Sequence, residues 1–414
     1  MKFHGLLTIV CCSIVFICGA AFGEEKISEP EYAQRGWSTV ALGGILPTAE
    51  QLKQMHQSSY ILRSVNNKLE KIEVEKISLP LDPCGHTQRL GLFVGPDKAI
   101  YATQCSLMSK SSDGGKTWTH LRRKVDKNEM PNDHFMNLRV LPDGTWIQAR
   151  DTKKQGIVFY VSNDEGQVWT QVTRISKQFN NSRLLLGDME VFPNGDLVVP
   201  LTNIIFKDKK SENDIVPWKS VKSLFCLSTD GGKSFSNPRI IGEWGHEINV
   251  SKLSSGRLLA VIRYQRPLLP TDPPNILVLT GSKRFNQGFP YKHLFLADST
   301  DNGKSWSPLR QLTTESGQCH GQAVGLENGR VVVSYDHRYP RVMAGARAVV
   351  SDDEGQTWRD EVYYLSNGMV GGFARTITLD GIEMITLTGT SDLVNWDSSI
   401  GASYFSLIRW RLAS

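Results

Sequence analysis

Glu247 and Arg263 stand near the two ends of "HEINVSKLSSGRLLAVIR", sixteen residues apart with Gly256 in the turn between them. A hairpin of that length returns both ends to one edge, so a carboxylate and a guanidinium meet there. The pair is either a plain ion pair or part of a polar site. A later stretch, "GQCHGQAVGLENGRVVVSYDHR", puts His320 at the place of Glu247, with Tyr335, Asp336 and His337 near the place of Arg263. A histidine and a tyrosine beside arginines could neutralise a uronate and move protons in β-elimination. Upstream, "GDMEVFPNG" sends Asp188 and Glu190 to the same face of a strand. His86, His134, Arg139 and Arg150 enlarge the set. Each alone reads more readily as a satisfied structural residue than as a catalyst; together they describe a pocket rich in Arg, His and carboxylate.

Such residues need a frame, and the chain announces one by repetition. "SSDGGKTW" at 111–118 recurs as "SNDEGQVW" at 162–169, "STDGGKSF" at 228–235, "STDNGKSW" at 299–306 and "SDDEGQTW" at 351–358. A turn followed by an apolar strand precedes these octets, as in "LPDGTWIQ", "FPNGDLVVP" and "LENGRVVVS", and there are six such hairpins for five octets. Asn-Gly and Asp-Gly between apolar runs are hairpin signals. Each unit reads as strand, tight hairpin, strand, link, strand, octet turn, strand. Four antiparallel strands repeated about every fifty to seventy residues make a propeller blade. The expected fold is all-β, a six-bladed β-propeller of four-stranded antiparallel blades spanning residues 81–414.

The sixth unit ends in "ASYFSLIRWRL" without an octet or a fourth strand of its own. The strand-like residues 60–79 are expected to supply that outer strand and close the ring, since an unpaired edge is a liability. Residues 47–57 read as a short helix outside the propeller, within an N-terminal segment of 24–80.

The octets resemble the Asp box, or BNR repeat, of the sialidase (neuraminidase) superfamily, whose members carry it on a six-bladed propeller. The octet aspartates themselves read as turn formers, each carboxylate accepting N–H groups of its own turn. The resemblance implies that chemistry lies on the innermost strands. There Glu247 would act as base or stabiliser, and three arginines would clamp a substrate carboxylate. Arg263 matches one of them, Arg89 a second, and Arg341 or its competitor Arg338 the third, with His337 nearby. The resemblance also implies a tyrosine nucleophile at the start of the sixth inner strand, where this chain has Gly372 beside Phe373, and an acid before the first octet, where "TQCSLMSKSS" has neither Asp nor Glu. Either another acid approaches from elsewhere or the reaction differs from the family's, with Tyr335, His320 and Asp188 as the remaining catalytic candidates.

Three functions stay open: a glycoside hydrolase releasing a terminal acidic sugar, sialic acid or related; a lyase or other hydrolase acting on uronate-containing glycans; and a non-catalytic carbohydrate-binding propeller. The expected partner is an anionic glycan. A formal charge of +5 on 414 residues permits that, and the absence of a basic run with interleaved aromatics argues against nucleic acid. Nothing calls for a metal or cofactor. Lys2, the uncharged run 6–23 and the small residues before Glu24 read as a signal peptide over 1–23, implying a secreted or periplasmic protein. The run is short for a membrane span, and no second apolar stretch follows. Removal of the signal leaves Cys84, Cys105, Cys226 and Cys319, of which Cys84 and Cys105 are the plausible disulfide pair or else buried thiols.

Overall fold

Each octet folds back on itself through one set of hydrogen bonds. In the computed structural model, Ser111 Oγ donates to Asp113 Oδ1 at 2.8 Å and accepts from the Gly115 N–H at 2.8 Å, while the Thr117 N–H donates to Asp113 at 2.9 Å. The same contacts recur around Asp164, Asp230, Asp301 and Asp353. The structure describes residues 43–80, 90–104, 106–122, 135, 137–152, 155–176, 182–207, 218–267, 269–270, 272, 291–313, 317–338, 343–368, 374–390 and 404–413.

The strands form six antiparallel blades in a ring. Blade one holds Gly91–Val94, Ile100–Thr103, Leu107–Ser111 and Thr119–Arg122; blade two holds Arg139–Val140, Trp146–Thr152, Gly156–Ser162 and Thr170–Ile175. Blade four runs Gly245–Lys252, Leu258–Arg266, Tyr291–Ser299, Arg310–Gln311, and blade five runs Gln318–Gly325, Val331–His337, Gly345–Ser351, Glu361–Tyr364. In blade three the inner strand is broken: Ser182–Leu186 and Glu190–Val191 both pair with Leu197–Phe206, followed by Trp218–Ser228 and Arg239–Glu243. Gly187 opens the break, and a Cβ there would come within 2.6 Å of the Ile248 carbonyl of blade four. The break lets Asp188 leave the sheet.

Blade six contributes Arg375–Thr378, Glu383–Thr390 and Tyr404–Arg411, and its fourth strand is Glu75–Pro80, which pairs with Tyr404–Arg411. Only this last part of residues 60–79 closes the ring. Tyr60–Val65 and Lys68–Glu73 form a hairpin that adds instead to the outer edge of blade five, Leu62 opposite Tyr364. The two asparagines at the hairpin tip, Asn66 and Asn67, both take positive φ, so the turn separates two short strands where the sequence reads as one long one. Ahead of the hairpin, helix Ala49–His56 starts on a Thr48 cap with Gln51 completing the capping box, and buries Leu52 and Met55.

Six apolar clusters fill the six seams between blades. Each octet aromatic enters the seam with the preceding blade: Trp118 packs beside Ile385 and Leu387 of blade six, Trp169 beside Phe93 and Tyr101 of blade one, Trp306 beside Phe225 of blade three. Blade six has no octet, and its seam with blade five is filled by Trp410, 5.2 Å from the ring of Tyr363. Cys226 and Cys319 are free and buried, whereas Cys84 and Cys105 lie outside the described residues, as does the expected signal peptide. Among the described residues no helix is long and apolar enough to cross a membrane, and no group of three or more His, Cys, Asp or Glu could hold a metal ion.

The octet turns carry a pH signature. The Thr357 hydroxyl and N–H draw the Asp353 carboxyl down to about 2, and the other four octet aspartates are lowered by the same kinds of bond. A carboxyl lowered on folding stabilises above its unfolded value of about 3.9, and that contribution fades as pH falls through the folded value. Asp353→Asn is therefore expected to melt below the wild type at neutral pH, with the gap closing toward pH 2. A gap in melting temperature independent of pH would refute this.

Candidate active site

A cavity of about 250 Å³ is lined by residues from the inner strands of four consecutive blades, among them Arg183, Asp188, His246, Glu247, His320 and Arg375. Two β-bulges aim the central pair. Register shifts between Gly245 and Ile248 in blade four, and between Cys319 and Gln322 in blade five. Glu247 and His320 sit inside these bulges, each nine residues before a turn glycine, Gly256 or Gly329. An extra residue in one strand bends it and redirects side chains, as is common beside active sites. His320 also takes a φ of 55°, a conformation that costs a non-glycine residue about 1–2 kcal/mol.

Opposite them stand Arg263 and Asp336, each seven residues after the turn glycine. The two blades thus repeat one arrangement with the charges exchanged: glutamate facing arginine in blade four, histidine facing aspartate in blade five. Arg263 donates to Glu247 Oε2, which also lies 2.9 Å from His320 Nε2 and 3.2 Å from His246 Nδ1. At the other end of the imidazole, His320 Nδ1 is 2.9 Å from Asp336 Oδ2 and 2.9 Å from an Arg338 nitrogen. Asp336 is fixed in turn by the Ala374 N–H of blade six at 3.2 Å. Arg375 of blade six reaches Asp188 of blade three, so an ion pair joins blades on opposite sides of the ring.

Electrostatics separates the acids. Burial opposes the ionisation of Glu247, but Arg263, His320 and His246 outweigh it and hold the carboxyl well below the usual carboxylate range. The side chain nonetheless keeps 31% of its surface open, so solutes reach it. Glu190 moves the other way: burial raises it, with Asp188 adding to the rise, against Arg139 and Arg375. Arg139 lies 3.9 Å from Glu190, and Asn249 donates to it at 3.3 Å. Burial lowers the His320 imidazole against the pull of Glu247. Behind the bulges, burial and the nearby Arg263 bring the Lys292 ammonium down to about 7.

Of the residues singled out by sequence, the structure brings together Glu247, Arg263, His320, Asp188 and Arg338. Tyr335 is out of phase by one. Neighbouring strand residues point to opposite faces, so Asp336 meets His320 while Tyr335 enters the seam between blades four and five with no exposed surface. It is a core residue and does not line the cavity. His337 is also buried, 3.5 Å from Gln318, and does not line it. Arg89, Arg341, His86, His134, Gly372 and Phe373 lie outside the described residues. Sequence reasoning passed over Arg375, His246, Arg183 and Lys292. Arg375 carried a signal: it is the charged residue in the "ARTIT" inner strand of blade six.

No protein-family model and no curated sequence matches the chain. Solved structures with the same architecture do. The GH93 α-L-arabinofuranosidase of Fusarium graminearum in complex with arabinobiose is 15% identical, with a TM-score of 0.56 over 82% of this chain and 98% of that one. The α-L-arabinanase of Penicillium chrysogenum complexed with arabinobiose is 16% identical, TM-score 0.53, over 82% and 98%. A Hadza microbial sialidase is 15% identical, TM-score 0.53, over 84% of this chain and 70% of its own. At such identities the likeness is one of fold: this chain is a six-bladed β-propeller, an architecture that it shares with these proteins.

Proposed function

We propose that the protein is an exported glycoside hydrolase that removes a terminal sugar from a glycan, with Glu247 as the ionised carboxylate and the proton supplied from Glu190 by way of Asp188, which lines the cavity where Glu190 does not. The observation that carries this reading is the opposite displacement of these two acids. Two carboxyl groups pushed apart in acidity by their surroundings can serve as base or nucleophile and as acid at one pH. Asp188 and Arg375, electrostatic neighbours of Glu190, both line the cavity with Glu247. The same roles serve direct attack by water or a covalent glycosyl intermediate, and the anomer of the product distinguishes them. Arg375 holds Asp188 in place through their ion pair.

An acidic sugar is the finer part of the proposal. Arg183 on the cavity wall keeps 48% of its side chain open, and the chain is net positive. The clamp of Arg89, Arg263 and Arg341 implied by resemblance would draw Arg263 away from Glu247, and Arg375 is held by Asp188, so the open Arg183 is the better anion contact. The β-elimination reading loses support because Tyr335 lies in the core rather than beside His320.

The test is a panel of nitrophenyl glycosides and glycans, acidic and neutral. Release of free sugar, with higher kcat/KM for an acidic glycoside, is the expected result. Glu190→Gln should lose rate on glycans and keep most of it on nitrophenyl glycosides, whose leaving group needs no proton. An unsaturated product absorbing in the ultraviolet would establish a lyase, and affinity without turnover a binding protein; either overturns the proposal.

A further inference from the structure

His320 is surrounded in a way that an ordinary hydrogen-bonded histidine is not: each ring nitrogen faces both a carboxylate and a guanidinium. At Nε2 these are Glu247, at 2.9 Å, and Arg263, at 3.2 Å. At Nδ1 they are Asp336 and Arg338, both at 2.9 Å. A guanidinium only donates and an ionised carboxylate only accepts. With the proton on Nε2, the ring donates to Glu247 and accepts from Arg338. With the proton on Nδ1, it donates to Asp336 and accepts from Arg263. With both nitrogens protonated, it donates to both carboxylates. All three states are hydrogen-bonded at both ends without movement of the ring.

We propose that His320 is a two-ended proton switch that governs Glu247, with Asp336 and Arg338 as the positioning residues that set it. Glu247 is released from the imidazole only when the ring proton sits on Nδ1; in the other two states its charge is shared with an N–H and its reactivity falls. The inference rests on the catalytic role proposed for Glu247. Asp336 is suited to the task because it is 1% exposed and its second oxygen is held by the Ala374 N–H, so it cannot turn away. Among the described residues, further charged and titratable groups near this set are His246 and Lys292 of blade four, with Cys319 of blade five beside the lysine. Asp188 and Arg375 join them across the cavity.

The switch gives the acid limb of the rate profile to His320 instead of Glu247. Asp336→Asn removes an anion that favours the doubly protonated ring, so the limb should move to lower pH. Arg338→Met removes a cation that opposes it, so the limb should move to higher pH, each by about 1 pH unit. Nitrogen-15 spectra of the histidine side chains, with His320 identified by its loss in His320→Gln, report tautomer and protonation directly. The expected result is a mixture of tautomers in the neutral wild type, shifted toward Nε2–H in Asp336→Asn and toward Nδ1–H in Arg338→Met. A single fixed tautomer in the wild type overturns the proposal, and this reading needs only His320→Gln, for assignment, to fold. So do acid limbs that stay put or move together in the two variants. If no glycoside is turned over, the catalytic reading fails while the spectra still decide the switch.

Discussion

Replacement of Glu247 by glutamine is expected to lower kcat by about 10²–10⁴-fold while changing KM little. Glutamine keeps the shape and an acceptor oxygen for Arg263 and His320, so the ring should hold its geometry. What disappears is the negative charge that Arg263, His320 and His246 maintain far into the acid range. Because Glu247 stays ionised there, its own titration is not expected to appear in the working pH range of the wild type. Full turnover by the variant, with an unchanged melting curve, would remove Glu247 from the mechanism. A lowered rate accompanied by a collapsed melting curve would instead mark the pair with Arg263 as structural, since leaving a buried guanidinium without its anion costs about 3–5 kcal/mol.

The second large effect is on stability. Phe225 is 1% exposed in the seam between blades three and four, with the ring of Trp306 edge-on at 5.4 Å. Gly303 of the blade-four octet lies directly on it: a Cβ there would overlap the phenyl ring. A seam built so closely cannot collapse around a lost side chain. Phe225→Ala should cost about 3–5 kcal/mol, a large share of the roughly 5–15 kcal/mol that holds a typical domain folded. Urea unfolding measures it, and a loss below about 1 kcal/mol would mean that the seams relax independently. Catalysis well below the melting temperature should survive, because Phe225 does not itself line the cavity.

Much of the frame was legible because the octets are local. Ser, Asp and Gly at fixed offsets make the same turn wherever they occur, and five copies imply a ring. Counting from turn glycines also placed Glu247, Arg263 and His320, since hairpin register is a local property. Legibility stopped where parity or distance intervened. Successive strand residues alternate between faces, so Tyr335 joins Val331 and Val333 in the seam while Asp336, at the place of Arg263, meets His320. The union of Asp188 with Arg375 joins residues from blades three and six, and no local pattern encodes it. The same holds for the division of residues 60–79 between two blades, which depends on edges formed at the far end of the chain.

That division has a consequence for how the protein is made. The hairpin Tyr60–Glu73 and the strand Glu75–Pro80 leave the ribosome early, yet their partners, Glu361–Tyr364 and Tyr404–Arg411, are the last strands of blades five and six to emerge. Asp360 likewise receives the N–H of Gly43 across 317 residues of sequence. Until synthesis ends, the early strands have bare edges and the nascent ring has two open ends, and unpaired edges invite wrong partners. A chain released before Tyr404–Arg411 would lack both the clasp and the seam tryptophan Trp410.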